Sequence, residues 1–147
     1  VANLREKHQA VRQALRNSSK RPQVFLSVYG QGLWTCGAGS YLNDLLIQAG
    51  GLNIAGKTGR RWLQLNREQL IHENPDVIII MAKDKERFSQ AGESFRADPR
   101  LKDIRAVKDN NIHLLDENVA GRFGPRLIDA LEAVARILHP EVFEARK

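Results

Sequence analysis

The feature that most constrains the fold is an unbroken apolar run, Val77-Ile78-Ile79-Ile80-Met81, which follows Asp76. A strand with one face in water alternates apolar and polar side chains, whereas a strand of a parallel sheet is covered on both faces and is apolar throughout. The run therefore predicts a buried strand of a parallel sheet. Because parallel strands are joined by crossover connections, usually helices, the expected fold class is α/β.

The rest of the chain alternates strand and helix patterns. Short apolar runs at residues 24–28 and 112–115 predict further strands, and residues 52–55 predict a small one. Apolar side chains at helical spacing predict helices at residues 1–17, 42–49, 66–72, 83–91 and 127–138, whereas residues 100–107 are ambiguous. We therefore expect a Rossmann-like three-layer sandwich, in which a mainly parallel sheet is flanked by helices.

Length and composition exclude several classes of protein. The 147 residues, 42% of them hydrophobic, suit one globular domain. No apolar run approaches the roughly 20 residues of a membrane-spanning helix. The single cysteine excludes an internal disulfide, and no clustered His/Cys spacing predicts structural zinc. A net charge of +6 favours anionic partners, but the basic residues are scattered, which does not predict a nucleic-acid surface.

Ligands of open α/β sheets bind where the strands end and the loops begin. Both tryptophans, Trp34 and Trp62, fall in such predicted loops. Large apolar rings are costly to leave in water, so each either packs beneath its loop or forms a platform for a flat or bulky ligand. Both interpretations remain open on the sequence alone.

Catalytic signals are weak. The turn Gly37-Ala38-Gly39-Ser40 precedes a helix and could bind an anion, but a dinucleotide motif requires a third glycine where Leu42 stands. The four histidines have no evident ligand partners, and Cys36 is either a metal contact or a small core residue. The alternative of a Rossmann-type nucleotide-binding enzyme stays open, but we predict no enzyme activity and no catalytic residue.

Four ordered stretches carry a resemblance that covers nearly the whole chain. They are residues 37–53, residues 62–79, residues 101–115 and residues 122–140. In this order they resemble the C-terminal lobe of the substrate-binding proteins that serve ABC importers of vitamin B12, haem and ferric siderophores. This resemblance implies two Rossmann-like lobes joined by a rigid helix, with the ligand held between them.

The resemblance also implies a domain arrangement and partners. Residues 1–17 would be the end of the connecting helix and residues 22–147 the C-terminal ligand-binding lobe, so an N-terminal lobe of the same chain is expected. The expected partners are a membrane permease and a small-molecule metal chelate, with no nucleic acid and no cofactor of the protein's own. The expected location is periplasmic, or extracellular and anchored to the membrane as a lipoprotein.

Site residues follow by position in the same resemblance. Glu68 matches the surface acid that docks on permease arginines. The chelate is expected to be a cobalt corrinoid or a ferric siderophore; haem is less favoured, although Tyr29 could serve as its ligand. A sensor or scaffold that reuses the lobe without transport is a further alternative. The implied ligand-binding residues are Tyr29, Trp34, Arg60, Arg61, Trp62, Asn118, Arg122 and Phe123.

Overall fold

The computed structural model describes residues 9, 12, 13, 15, 21–28, 33–120 and 127–140. Residues 9, 12, 13 and 15 lie in the first predicted helix and are helical. The strands are β1 (Gln23–Ser27), β2 (Trp34–Cys36), β3 (Leu52–Asn53), β4 (Trp62–Gln64), β5 (Val77–Ala82) and β6 (Ile112–Asp116). The helices are α1 (Tyr41–Gln48), α2 (Arg67–Glu73), α3 (Lys85–Ala97), α4 (Arg105–Lys108), α5 (Glu117–Ala120) and α6 (Leu127–Leu138).

The main sheet has four parallel strands in the order β3-β1-β5-β6. Strand β5 lies inside the sheet, and all six of its residues are buried. Its register pairs Leu26 with Ile79 on one side and Ile79 with His113 on the other. The buried parallel strand predicted from the apolar run is confirmed, and so is the α/β class.

Helices cover both faces of the sheet and enclose two apolar clusters. Helices α1 and α6 pack on one face, with Leu46 and Val134 fully buried. Helices α2, α3 and α4 pack on the other face, where Leu70 is fully buried. There the rings of Phe25 and Phe95 meet edge to face with centroids 6.1 Å apart, a favourable aromatic geometry. The predicted three layers are therefore present.

Two local predictions differ from the structure. Helix α3 extends to Ala97 rather than ending near residue 91, because Phe95 on its last turn is held in the core by Phe25. Strands β2 and β4, both expected to be loop, pair antiparallel in a separate two-stranded ribbon. The ambiguous residues 100–107 form a turn followed by α4, with Leu101 and Ile104 buried as expected.

Gly50 and His139 join the ends of two helices. Gly50 follows α1 with a φ of +88°, a region that favours glycine. The buried His139 ring, just after α6, forms a hydrogen bond of 3.0 Å between Nε2 and the Gly50 carbonyl. This contact agrees with the structural role expected for that histidine. Across the described part of the chain, no helix has the length and apolar character needed to cross a membrane.

Candidate functional site

The β2–β4 ribbon lies beyond the carboxyl ends of β1 and β3. The Val28 N–H, just after β1, donates to the Trp34 carbonyl at 2.9 Å. At the end of β3, the Asn53 side-chain amide donates to the Cys36 carbonyl at 2.8 Å. The ribbon is thus attached to the edge of the parallel sheet at which ligands of open α/β folds bind.

The two tryptophans lie on the same face of this ribbon. Trp34 is paired with Gln64, and Trp62 is paired with Cys36. Trp34 and Cys36 are two residues apart on β2 and therefore share a face, and Trp62, which is opposite Cys36, lies on that face too. Trp34 and Trp62 thus occupy diagonal positions, whose Cα atoms are about 7–8 Å apart in such a pairing. Each is 36% exposed. Neither ring is buried beneath its loop, so the platform interpretation agrees with the geometry.

The glycine-rich turn before α1 binds protein rather than an anion. The N–H groups of Gly37, Ala38 and Gly39 donate to the carbonyls of Arg61, Thr58 and Arg60 at 3.0, 2.8 and 3.2 Å. The Ser40 N–H donates to the Gly37 carbonyl, and the Ser40 side chain caps α1. These amides have protein partners, so the turn is not the open phosphate cradle that the nucleotide-binding alternative needs.

Arg60 and Arg61 occupy the loop that the glycine turn holds in place. The backbone carbonyls of Arg60 and Arg61 accept hydrogen bonds from the N–H groups of Gly39 and Gly37, respectively. Both arginine side chains are exposed. Among the described residues, no carboxylate forms an ion pair with either guanidinium. Two cations therefore stand immediately before Trp62, where an anionic group of a ligand would be attracted.

Asn53 connects the ribbon, α1 and the loop after β3. Its Nδ2 donates to the Cys36 carbonyl and, at 3.1 Å, to Oδ1 of the buried Asn43. Its Oδ1 accepts the Ala55 N–H at 3.0 Å. Sequence reasoning missed this connecting role, because the partners come from three separate segments. The only signal in the sequence was that Asn43 and Asn53 fall near the ends of predicted elements, where side-chain amides can bond to loops.

Asn118 lies at the carboxyl end of β6, on the same edge of the sheet. It is exposed on the single-turn helix α5, and its N–H donates to the Asp116 side chain at 2.8 Å. The α5 turn is tied to α1, since the Tyr41 hydroxyl donates to the Ala120 carbonyl at 2.9 Å. The structure therefore places Trp34, Trp62, Arg60, Arg61 and Asn118 along one edge of the main sheet.

Glu68 lies in the first turn of α2, immediately after the ribbon. Its side chain is exposed, and within the described residues no basic group pairs with it. The adjacent Arg67 is occupied elsewhere, because its Nε donates to Asp98 at 2.8 Å. The Glu68 carboxylate is thus available to an external cation.

Cys36 is a core residue. It is fully buried, and burial raises the pKa of its thiol to about 12. A protonated thiol is neither a good nucleophile nor a metal ligand. In the portion of the chain that the structure describes, no group of three or more metal-binding side chains occurs. Of the two interpretations of Cys36, the small core residue fits the structure.

His113 is also explained by local structure. Its ring is half-buried in β6 and hydrogen-bonded to the Asn111 side chain, and burial lowers its pKa.

Three predicted ligand-binding residues, Tyr29, Arg122 and Phe123, lie outside the described residues.

Two grooves occur in the described structure, and the first is bordered by Gln64, which is paired with Trp34 in the ribbon. One, of about 600 Å³, runs between the start of α2 and the end of α3 over Leu33, Leu65 and Phe95. The other, of about 620 Å³, lies at the amino ends of the strands beside His113 and Leu138. Neither tryptophan lines either groove. Among the described residues, the two exposed rings form a surface that could cover one side of a ligand.

Comparison with known proteins agrees with this architecture. The family model described as "Periplasmic binding protein" matches residues 1–119. The chain belongs to this family. An uncharacterised ABC transporter substrate-binding lipoprotein of Bacillus subtilis, YvrC, is 26% identical over 130 residues, which cover 87% of this chain and 39% of YvrC.

Two further matches are informative. The high-affinity heme uptake system protein IsdE of Staphylococcus aureus is 28% identical over 117 residues, which cover 74% of this chain and 39% of IsdE. The crystal structure of a periplasmic binding protein from Veillonella parvula is 27% identical, with a TM-score of 0.80, and the match covers 95% of this chain and 49% of that one. The chain thus spans about two fifths of the length of these curated relatives.

Proposed function

We propose that this periplasmic binding protein chain forms one lobe of an extracytoplasmic solute-binding protein that delivers a metal chelate to an ABC importer. The single observation that carries the proposal is the shared face of Trp34 and Trp62 at the carboxyl edge of the sheet. Aromatic rings bury much apolar area of a bulky ligand, and Arg60 and Arg61 beside them complement an anionic group. No chemical step is required of the protein.

The ligand classes proposed are ferric siderophores, cobalt corrinoids and haem. The first two follow from the resemblance in sequence, and haem gains support from the similarity to a heme uptake protein. The exposed Arg60–Arg61 pair favours chelates that carry carboxylates or other acidic groups. The metal ion is cargo within the chelate, not a resident group of the protein.

Calorimetric titration of the full-length protein with ferric enterobactin, an anionic catecholate chelate, and with haemin and cyanocobalamin tests the ligand proposal. We expect saturable binding of at least one chelate and an affinity at least about tenfold lower in Trp34→Ala and Trp62→Ala, since each change removes a large contact. Ile47→Ala is the control, because Ile47 is exposed on α1 and lies off the ribbon. Unchanged affinity in both tryptophan variants would contradict the proposed site.

The open tryptophan face supports a two-lobed arrangement. A ligand held between two lobes is covered on both sides, whereas the described residues of this chain present the two tryptophans on one face. We propose that residues 22–147 form the C-terminal lobe and that residues 1–17 belong to the connecting helix. The isolated 147-residue chain should therefore bind the chelate weakly or not at all. Submicromolar affinity of this chain alone would contradict the arrangement.

Glu68 is proposed to dock on a basic residue of the permease. Its exposed carboxylate, left unpaired by Arg67, supports this role. Glu86 is a matched control, since it holds the same exposed position in the first turn of α3 that Glu68 holds in α2. In reconstituted transporter, Glu68→Gln should reduce stimulation of ATP hydrolysis while chelate affinity stays unchanged, and Glu86→Gln should change neither. Equal effects of the two substitutions would count against docking through Glu68.

The proposed location is outside the cytoplasmic membrane, because ABC importers receive their solutes on that side. The curated relative YvrC is described as a lipoprotein, which supports membrane anchoring as the mode of attachment. Fractionation of cells that express the full-length protein, followed by immunoblotting, checks this. Recovery from the cytoplasm alone would contradict the proposed location.

A further inference from the structure

The Tyr41 hydroxyl forms a hydrogen bond that joins the start of α1 to the end of α5. It donates to the Ala120 carbonyl at 2.9 Å, across 79 positions of sequence. The ring is half-buried against the apolar cluster beneath α1 and α6. Burial raises the pKa of Tyr41, so the hydroxyl keeps its proton and remains a donor at neutral pH.

The two sides of this bond hold different parts of the candidate site. Tyr41 follows directly on the Ser40 cap and on the glycine turn, whose amides hold the loop of Arg60 and Arg61. Ala120 ends α5, on which Asn118 faces outward while Ala120 is fully buried. The bond therefore links the ribbon half of the edge to the half contributed by β6.

Helix α5 has few anchors of its own. It is a single turn of four residues, too short to be stable by its own backbone bonds. The contacts that hold it include the Asp116 cap on the Asn118 N–H, the packing of Val119 and Ala120 against the apolar cluster, and the Tyr41 hydroxyl. Of these, the hydroxyl is a hydrogen-bond donor that comes from the opposite half of the site.

We propose that Tyr41 is a positioning residue for ligand binding: its hydroxyl sets the separation between Asn118 and the Trp34–Trp62 face without itself touching the ligand. This inference rests on the proposed function, because it concerns the same binding edge. A ligand that contacts both halves then meets a preorganised surface, which lowers the ordering cost of binding.

The test uses Tyr41→Phe in the full-length protein, since this change keeps the ring and removes only the donor. Ferric enterobactin, haemin and cyanocobalamin are titrated as probes. We expect the affinity of the bound probe to fall about threefold to tenfold, in line with the loss of one hydrogen bond, mainly through faster dissociation. The amides of residues 117–120 should also exchange hydrogen faster than in the wild type.

A double-mutant cycle separates positioning from a general loss of stability. If Tyr41 acts through the turn of Asn118, Tyr41→Phe should weaken binding less in an Asn118→Ala background than in the wild type. Ser94→Ala is the matched control, because the Ser94 hydroxyl also donates to a backbone carbonyl, that of Ala91, at 2.6 Å on α3. It should leave probe affinity unchanged.

The outcomes distinguish this inference from the proposed function. A wild-type protein that binds a probe, together with unchanged affinity and unchanged exchange in Tyr41→Phe, overturns the positioning role and leaves the function standing. Equal losses in the wild-type and Asn118→Ala backgrounds also overturn it. A wild-type protein that binds none of the three probes counts against the proposed function and overturns this inference with it.

Discussion

Gly37 is the residue at which the binding edge tolerates least change. A Cβ atom there would lie 2.3 Å from the Arg60 carbonyl oxygen, and one at Gly39 would lie 2.5 Å from that of Gly59. Both clashes involve backbone, which moves only if the two loops separate. Glycine is therefore needed at these two positions because the turn and the loop of residues 58–61 pack closely, and not because the turn binds an anion.

Replacement of Gly37 by alanine should separate these loops. We expect Gly37→Ala to lower the free energy of unfolding by about 1–3 kcal/mol, the usual cost of overpacking, and to weaken the proposed chelate binding as Trp62 shifts. Gly59→Ala is the control, because a Cβ at Gly59 meets nothing within 4 Å. Thermal denaturation of both variants measures the difference, and equal midpoints would show that the loops tolerate a side chain at Gly37.

The Cys36 thiol should be unreactive in the folded protein. Burial raises its pKa to about 12 from the usual 9.0, so at pH 8 it carries almost no thiolate. Iodoacetamide should label it slowly in the native state and rapidly in guanidinium chloride. Rapid labelling of the folded protein at pH 8 would contradict this.

The same shift in pKa has a consequence for alkaline stability. A group whose pKa is higher in the folded state contributes stability that is present below pH 9 and is lost as the pH rises toward 12. The free energy of unfolding should therefore fall less between pH 9 and 11 in Cys36→Ala than in the wild type, as measured by chemical denaturation at each pH. An identical slope in both proteins would mean that the thiol is not buried.

At the scale of elements, α2 depends on a capping box that the sequence predicted. The Asn66 side chain accepts the Gln69 N–H at 2.7 Å, and the Gln69 side chain accepts the Asn66 N–H at 2.9 Å. Asn66→Ala should lower the free energy of unfolding by about 1 kcal/mol, because the Gln69 N–H loses its side-chain acceptor. Gln90→Ala, an exposed mid-helix change in α3, should have little effect. Urea denaturation compares the two, and similar stabilities would contradict the cap.

The sequence predicted those elements whose signals are local. The apolar run of β5, the cap of α2 and the apolar face of α6 all appeared where expected. The β2–β4 ribbon did not, because each of its strands is only three residues long, so pairing rather than propensity forms them. The same limit hid the roles of Asn53 and Tyr41, whose hydrogen bonds join segments far apart in sequence.

At the scale of the whole molecule, the sheet separates two apolar clusters that share its strands. Neighbouring residues offer matched comparisons on each side: Leu46 is buried and Ile47 is exposed, and Leu70 is buried and Ile71 is exposed. Leu46→Ala and Leu70→Ala should each cost about 2–5 kcal/mol, whereas Ile47→Ala and Ile71→Ala should cost far less.

Both buried substitutions should also lower one common transition. Because the two clusters pack on the same four strands, loss of either should unfold the entire sheet. Circular dichroism and tryptophan fluorescence, followed through the same denaturant series, check this. If the two signals gave different unfolding midpoints in either variant, the two faces of the sheet would unfold independently.

The ribbon has one more consequence. Because β2 and β4 form hydrogen bonds mainly with each other and stand outside the four-stranded sheet, their outward side chains can be exchanged without disturbing the strands that hold the lobe together. The exposed ribbon positions thus lie outside the main sheet, while Cys36 of the same ribbon is buried in the core. At such a rim, the contacts proposed to hold a ligand can change at a few positions while the four strands that stabilise the lobe stay the same.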